Sequence, residues 1–465
     1  MNYGDGEPSL TMSDAASNSV VLNLGDGIEL TTEAKTFYVV VPATATTFYV
    51  TIEDVNGWTM TKSTNAVINR NKILPMRELS YAPAVFNLSA SGTANCYIVP
   101  GAGDYCFDAT VIGNGTSGLL GLPQTQTRFH TTDVTIDPQS AQLIWQDVNG
   151  LVTVSTPSIV NGKVNFTASS ARGNALIAVY ASNDCSGDII WSWHIWCTEQ
   201  PGNQVYKKGS KYFTLLDRNL GATTATKGSD DEEKLASYGL LYQWGRKDPF
   251  IGPNGITSTH AKSLYDKNGN IYSMPSPAEV DKGVPSISYA IAHPTLFLTG
   301  LWITGYDWYY GSADKTSVNN HYLWGNPYGY NYNTVRPYTE SGTSPIYPSK
   351  TIYDPCPPGY KVAERDTWTN FNNGGINAEG SFSNGYDFHM QGTDAAKGTT
   401  WYPAAGYLTF AAGLPLSAGN IGRYWNSSPY SNGSPNGGCL EFNSTQVLPL
   451  ASYCRANGKS VRCSN

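Results

Sequence analysis

Short runs of alternating apolar and polar residues, separated by turn residues, fill the first 88 positions of the chain. The runs Phe37–Pro42, Thr47–Ile52 and Trp58–Thr61 read as strands, because successive side chains of a strand point to opposite faces. Residues 54–57, Asp-Val-Asn-Gly, form a hairpin turn between the last two runs. The pattern predicts a thin antiparallel sheet, which needs a neighbouring domain or a further segment to complete its core.

The same pattern continues from about residue 89 to residue 200. Cys96–Val99 and Tyr105–Phe107 flank a Gly-rich turn. Cys96 and Cys106 lie opposite each other if this hairpin is symmetric about residue 101, which predicts a cross-strand disulfide. Ala175–Tyr180 and Ile189–Trp196 predict another hairpin. About seven short strands at this spacing favour a β-sandwich.

From residue 201 onward the strand periodicity weakens, and aromatic residues mixed with Gly and Asn dominate. Asp231–Tyr242, which is acidic in its first turn, and Glu364–Phe371 predict two short helices. The whole pattern predicts a mainly β multidomain chain, in which N-terminal antiparallel sheets, including a β-sandwich, precede an α+β domain. The expected domains are 1–88, 89–200 and 201–465.

Composition excludes several classes of partner. Charged residues make up 14% of the 465 residues and the net charge is −7, with the 29 basic residues scattered along the chain. This distribution gives no electrostatic footprint for nucleic acid or for anionic lipid. No stretch approaches the ~20 apolar residues of a membrane span.

The eight cysteines predict an oxidising, extracytoplasmic setting. They form an even set without Cys-x-x-Cys or Cys/His spacing, which favours disulfides over zinc. The chain opens Met-Asn-Tyr-Gly-Asp, with neither a basic nor an apolar leader region. We therefore interpret Met1 as an added start codon after removal of a native leader, and expect the protein outside the cell, on the cell surface or in a fimbrium.

Four cysteines lie near the C-terminus: Cys356, Cys439, Cys454 and Cys463. They allow three connectivities, and sequence alone does not choose among them. We favour the nested one, in which Cys356–Cys463 closes a loop of about 108 residues and contributes ~4.7 kcal/mol. The inner pair, Cys439–Cys454, would add ~3 kcal/mol. The pairing of Cys185 and Cys197 stays open.

The densest concentration of aromatic residues lies between positions 302 and 347. Aromatic rings offer flat apolar platforms for sugars or partner side chains, and neighbouring carboxylates and amides can bind hydroxyl groups. The alternative is that the rings pack a long loop onto its own domain. The ligand-binding candidates are Trp302, Asp307, Trp308, Tyr309, Tyr310, Trp324 and Asn326.

No catalytic or metal-binding motif is present. Asp266–Asn270 alternates oxygen ligands as calcium loops do, but lacks the distal Glu, so a hairpin turn is favoured. His194, between tryptophans in a strand, is more typical of a packed side chain than of a base. The acid pairs at 230–231 and 232–233 lie at a helix start. The sequence predicts no catalytic residue, no metal, no cofactor and no enzymatic activity.

Six ordered motifs give the C-terminal 250 residues a family resemblance. They are Asp217–Ala222, Tyr238–Trp244, Cys356–Tyr360, Pro403–Tyr407, Tyr424–Ser428 and Ser460–Cys463. This segment resembles the Fibrobacter-type major paralogous domain, which is similar to C-type lectin-like and formylglycine-generating-enzyme-like folds. The resemblance implies an α+β C-type lectin-like domain, and its nested cysteine order supports the pairing favoured above.

The chain also departs from these families. Formylglycine-generating enzymes use a redox-active cysteine pair with copper, whereas the cysteines here fit structural positions, so oxidase activity is not expected. Calcium-dependent lectins carry Glu-Pro-Asn or Gln-Pro-Asp with Trp-Asn-Asp. This chain has only Ser434-Pro435-Asn436 and Trp425-Asn426-Ser427, which lack the carboxylates for calcium-mediated sugar binding.

Residues 1 to about 85 resemble the C-terminal part of fimbrillin-like pilins, through Phe37–Val41 and Arg70–Leu74. The combination resembles a cell-surface or fimbrial-tip adhesin whose partners are a glycan or host surface protein and a neighbouring pilin subunit. Because Cys463 would pin the last strand, that strand could not be donated to a neighbour, and the chain would end a filament. The alternatives are an extracellular carbohydrate-active enzyme and a purely structural pilus or surface component.

Overall fold

The computed structural model divides the chain into two compact units, Met1–Ala90 and Ser91–Asn465. Most of the described regular structure is β strand. The described residues are 9–12, 20–23, 35–40, 44–53, 58–69, 72–75, 85–115, 134–208, 211–281, 284, 286–300, 306–309, 323–324, 350–369, 371, 378–390, 398–429 and 435–465.

Unit 1 holds an antiparallel strand pair and an antiparallel sheet. Strands β1 and β2 pair with each other, and β4 pairs with both β3 and β5. The predicted hairpin between Thr47–Ile52 and Trp58–Thr61 is confirmed as β3–β4, although its turn at 54–57 lies outside the described residues. The strands are β1 Ser9–Met12, β2 Val20–Asn23, β3 Thr44–Glu53, β4 Trp58–Ile68 and β5 Val85–Asn87.

The strand predicted at Phe37–Pro42 is wrong over residues 37–40, which form no strand. Phe37, Tyr38, Val39 and Val40 are all exposed. Because none of these apolar side chains meets a packed surface, the hydrophobic alternation that predicted a strand has nothing to stabilise it.

The first part of unit 2 contains two sheets. In one, β10 pairs antiparallel with β7 and β9. In the other, β11 lies between β8 and β12, and β6 joins β12 in parallel. Phe107 of the first sheet packs 5.1 Å from Trp193 of the second, so the two sheets face each other as a sandwich. The strands are β6 Cys96–Val99, β7 Gly103–Asp108, β8 Ser140–Gln146, β9 Val152–Val160, β10 Lys163–Ala168, β11 Gly173–Tyr180 and β12 Ile189–Cys197.

The predicted hairpin of Cys96 and Cys106 is wrong. The chain leaves one sheet after β6 and enters the other at β7, so Cys96 lies beside His194 and Cys106 opposite Asn165. No disulfide joins the two cysteines. The hairpin predicted over Ala175–Trp196 is confirmed by the antiparallel register of β11 and β12.

The described remainder of unit 2 contains further strands and three short helices. The strands are β13 Asn203–Lys208, β14 Lys211–Leu216, β15 Leu241–Gln243, β16 Leu264–Tyr265, β17 Ile271–Tyr272, β18 Lys361–Val362, β19 Ala378–Glu379, β20 Gly385–His389, β21 Thr399–Pro403, β22 Tyr407–Leu408, β23 Pro415–Leu416, β24 Gly422–Pro429, β25 Asn436–Phe442, β26 Val447–Cys454, β27 Gly458–Val461 and β28 Cys463–Ser464. The helices are α1 Asp231–Ala236, α2 Ser286–Ala292 and a 3₁₀ helix at Arg365–Trp368.

The helix predicted at Asp231–Tyr242 begins as expected but ends early. Asp230 caps α1 by accepting a hydrogen bond from the backbone N–H of Glu233. Gly239, with φ of 72°, then turns the chain into β15, since glycine adopts this left-handed conformation without strain. The helix predicted at Glu364–Phe371 is only the short 3₁₀ helix.

One sheet of unit 2, here called the C-terminal sheet, has the order β23-β22-β27-β24-β25-β26, with β15 on β27. One of its faces packs on an aromatic core through Tyr424, Leu440 and Phe442. In that core Phe388 stacks on Phe371 with ring centroids 4.2 Å apart. The sheet is therefore held from one side by close-packed rings.

The segments 89–200 and 201–465, which the sequence assigns to separate domains, are joined by direct contacts. β16 pairs with β8 and so extends a sandwich sheet. Trp196 Nε1 donates to the Ala222 carbonyl at 2.9 Å, and Lys247 Nζ donates to the Ser192 carbonyl at 3.1 Å. These contacts place both segments in one compact unit.

The outer disulfide of the predicted nest is confirmed, and the inner one is not formed. Cys356 and Cys463 are bonded, with Cα atoms 5.8 Å apart. Cys439 lies opposite Ala451 and Cys454 opposite Asn436, so the two cysteines are three residues out of register on adjacent strands. Cys439 and Cys454 are unbonded thiols.

Candidate functional site

The described part of the predicted aromatic ligand segment lies inside unit 2. Asp307, Trp308, Tyr309 and Trp324 are each exposed by no more than 3%. The packing alternative is therefore correct for these four residues, which cannot contact a ligand from their present positions. Three further candidates, Trp302, Tyr310 and Asn326, lie outside the described residues.

Polar contacts explain why these side chains are buried. Trp308 Nε1 donates to the Trp244 carbonyl at 2.8 Å, and Trp324 Nε1 donates to the Tyr353 carbonyl at 3.1 Å. A buried indole N–H needs such a partner. Asp307 accepts from Arg455 at 3.4 Å, and burial raises the pKa of Asp307 to about 6. The segment is anchored here by its own rings.

His194 belongs to a buried hydrogen-bond chain. Its Nε2 lies 2.9 Å from Asn174 Oδ1, and its Nδ1 lies 3.3 Å from the Tyr242 hydroxyl. Asn174 in turn donates to Asp147 at 2.9 Å. Burial lowers the pKa of His194 to about 3, so the ring is neutral and structural. The chain joins the sandwich to β15.

The other polar candidates also have structural roles. Asp266 accepts hydrogen bonds from the backbone N–H groups of Asn268 and Asn270, both at 2.8 Å, so the favoured turn between β16 and β17 is confirmed. The acid pairs lie at the start of α1, where Asp230 and Glu233 accept capping hydrogen bonds. Among the described residues no group of three His, Cys, Asp or Glu side chains could hold a metal ion.

A partly open face of the C-terminal sheet carries the strongest candidate surface. Cα partners across a sheet share a face, which places Tyr407 beside Leu416 and Arg423 beside Glu441, with Leu448 beyond Glu441. This row of side chains crosses β23 to β26, and Tyr453 of β26 joins it. We call it the aromatic–cation strip: Leu416, Tyr407, Arg423, Glu441, Tyr453 and Leu448.

Arg423 is the centre of the strip. Its guanidinium carbon lies 4.0 Å from the ring centroid of Tyr407 and 4.0 Å from that of Tyr453. Because β24 lies between β22 and β26, the two rings flank the guanidinium. Its Nε donates to Glu441 Oε2 at 2.6 Å. Within the described residues neither terminal nitrogen has a hydrogen bond, but Arg423 is only 9% exposed, so a ligand would reach the guanidinium only between the two rings.

Exposure at the ends of the strip makes it accessible. Leu416 and Leu448 are each 40% exposed, and Tyr407 and Tyr453 are half-buried. The strip therefore offers aromatic edges and apolar ends around one stacked cation. Tyr and Arg are enriched at recognition surfaces for these properties.

A second candidate is a cleft of about 470 Å³ between residues 91–93 and Pro358–Lys361. Its charged and aromatic groups are occupied by internal contacts. Lys350 Nζ donates to Asp354 at 3.1 Å and to the Tyr360 carbonyl at 2.6 Å, and the Tyr360 hydroxyl donates to Asn203 at 2.7 Å. The lysine and the tyrosine of the cleft are therefore committed to contacts within unit 2.

Sequence reasoning missed the strip because its members come from five separate strands. Tyr407 and Arg423 lie in or beside motifs of the family resemblance, but nothing in their local pattern distinguishes them from packing residues. The pairing of Arg423 with Glu441, which are 18 residues apart, is visible only once β24 and β25 are in register.

Comparison with family models, curated proteins and solved structures gives no match for this chain. No helix among the described residues is long and apolar enough to cross a membrane.

Proposed function

We propose that the protein is an extracellular cell-surface or fimbrial-tip adhesin, whose C-terminal part has a C-type lectin-like fold and binds a glycan or host surface protein. The observation that carries this proposal is the aromatic–cation strip. The half-buried tyrosines supply the accessible contact with an apolar face of the ligand. The guanidinium stacked between them can donate to an acidic or hydroxyl oxygen that enters between the rings. The exposed leucines extend the contact area at both ends.

Unit 1 supports a neighbouring pilin subunit as a second partner. Residues 37–40 present four exposed apolar side chains and no strand pairing. Extended apolar segments of this kind are suited to association by strand addition, in which main-chain hydrogen bonds supply affinity. Unit 1 would then attach the protein to a surface structure, and the strip would face the ligand.

The test is binding of the full chain to a broad glycan array and to cultured epithelial cells. The strip variant combines Tyr407→Ala with Leu448→Ser, and the matched control is Tyr212→Ala, a 61% exposed tyrosine elsewhere in unit 2. We expect the strip variant to bind at least about tenfold more weakly, equivalent to ~1.4 kcal/mol, and the control to bind as the unchanged protein does.

The same binding measurements distinguish the adhesin proposal from a purely structural role. Equal binding by the strip variant and the control, with both folded by circular dichroism, would remove the strip as the binding site. Absence of binding to glycans and cells by the unchanged protein would contradict the adhesin proposal and favour a structural component.

A further inference from the structure

Beneath the strip lies a buried lysine without a carboxylate partner. Lys459 and Cys439 are both fully buried, and Lys459 Nζ lies 3.4 Å from Cys439 Sγ. Within the described residues this thiol is the only hydrogen-bond partner of the amine, and no acidic side chain forms an ion pair with it. A buried ammonium normally requires an anionic partner. The absence of such a partner here favours the neutral amine.

Aromatic rings enclose the amine. Lys459 Nζ lies 3.8 Å from the Trp425 ring centroid and 3.9 Å from that of Tyr453. The rings restrict the amine to the space next to the sulfur. Burial lowers the pKa of Lys459 to about 7, so a large share of the amine carries a lone pair near neutral pH. Burial raises the pKa of the Cys439 thiol, so formation of its thiolate depends on the neighbouring amine as the base.

We propose that Cys439 and Lys459 are a covalent modification site, at which a hydroperoxide joins Cys439 Sγ to Lys459 Nζ as a sulfenamide crosslink. Nζ takes the thiol proton, and the thiolate attacks a peroxide oxygen to form the sulfenic acid. The departing hydroxide takes that proton from Nζ and leaves as water. The neutral amine then attacks the sulfur, the S–O bond breaks, and a second water leaves as the S–N bond forms.

The crosslink would fasten β25 to β27 across β24, the strand between them. Cys439 and Lys459 are closed off from solvent, so a small oxidant would reach them through movement of Tyr453, which covers Lys459 and lies on the terminal strand β26. Cys454, which is half-buried and three residues out of register with Cys439, is the competing thiol. A Cys439–Cys454 disulfide would join two sulfur atoms, whereas the sulfenamide joins the Cys439 sulfur to the Lys459 nitrogen.

The test is peptide mapping of the full chain before and after hydrogen peroxide, with unreacted thiols blocked. We expect the peptides containing Cys439 and Lys459 to be linked with a loss of two hydrogen atoms, and the link to disappear on treatment with a dithiol. Cys197, which is also a buried, unbonded thiol but has no hydrogen bond to a lysine among the described residues, is the internal control and should stay unlinked.

Two variants sharpen the result. Lys459→Met preserves an apolar side chain of similar length between the rings, and Cys439→Ala removes the sulfur; both should lose the linked pair entirely. Cys454→Ser should keep it. A Cys439–Cys454 disulfide or unlinked sulfenic acid in the unchanged protein would overturn the proposal. Because this outcome is measured on the unchanged protein, it tests the proposal even if a variant fails to fold.

Discussion

Unit 1 and the C-terminal sheet of unit 2 are both built from strands, but they cover their faces differently. In unit 1, Tyr49 and Val67 on β3 and β4 are 72% and 61% exposed, while Met60 is buried. In the C-terminal sheet every residue of β24 is buried. The aromatic core covers one face of the latter, and stacked cations and half-buried tyrosines cover much of the other. Unit 1 leaves apolar strand surface in contact with water.

The difference shows where the stabilising free energy is concentrated. Burial of apolar area and close packing supply most of the free energy of folding, and unit 2 has both. Unit 2 also buries charged groups, which is favourable only when each is paired or stacked. Arg462, for example, lies 4.0 Å from the Tyr402 ring centroid and donates to Asn219 at 2.9 Å. The described strands of unit 1 therefore have less buried apolar area to stabilise them.

The largest expected effect comes from replacing one aromatic side chain of each unit with alanine. Phe388→Ala in unit 2 removes a ring that packs on Phe371, Tyr402 and Phe442, and should lower the free energy of unfolding by about 3–5 kcal/mol. Tyr49→Ala in unit 1 should cost less than about 0.5 kcal/mol. Urea denaturation followed by circular dichroism measures both, and comparable losses would contradict the contrast.

The second largest expected effect is the loss of stability on removal of the disulfide, and it is confined to unit 2. All eight cysteines lie beyond residue 95, so reduction cannot act on unit 1. The double variant Cys356→Ala/Cys463→Ala should destabilise unit 2 by about 2–4 kcal/mol, whereas Cys185→Ala, which removes an unbonded cysteine, should have little effect. Unfolding followed by tryptophan fluorescence is suitable, because Trp58 is the sole tryptophan of unit 1. A loss no larger than that of the control would show that the disulfide contributes little.

The smallest of the three effects depends on pH. The pKa of His194 is lowered to about 3 by burial, while an unfolded histidine titrates near ~6.5. The unfolded state therefore binds the extra proton, and the stability of unit 2 falls as pH decreases below ~6.5, by ~2 kcal/mol at about pH 5. Unit 1 has no histidine, so this loss is absent there.

The control for the pH effect separates His194 from the other titrating groups. His194→Gln should be less stable near neutral pH but lose less further stability between about pH 6.5 and 5. His260→Gln changes an exposed histidine and should retain the full slope. An unchanged slope in the His194 variant would assign the acid sensitivity to other residues.

Local sequence patterns predict the elements that are held by contacts between residues close in the sequence. The Ala175–Trp196 hairpin, the β3–β4 hairpin and the turn at Asp266 each depend on contacts between residues close in the chain. The Cys356–Cys463 bridge was predicted from the arrangement of the cysteines. The prediction for Cys96 and Cys106 was wrong because a turn of the right composition does not specify whether both strands join the same sheet.

The candidate surface illustrates the same limit. The aromatic segment was identified by its density of rings, yet the described rings are buried, because an indole side chain suits a core as well as a ligand site. The strip went unrecognised because Tyr407, Arg423 and Tyr453 meet only through the order of the sheet. Composition shows that such residues exist, and strand order decides which of them reach the surface.

Side-chain periodicity and the cysteine positions are enough to predict a mainly β chain with a poorly filled N-terminal sheet and a long loop closed by a disulfide, although they leave open how the four C-terminal cysteines pair. Side-chain periodicity reflects contacts between residues that are close in the chain. A disulfide is a covalent bond whose formation depends on the chemistry of its two cysteines. Long-range contacts select the sheet that each strand joins, the position of Lys459 against Cys439 and the stacking of Arg423 between two tyrosines. These features depend on contacts between residues distant in the chain, and packing of the whole unit selects among them.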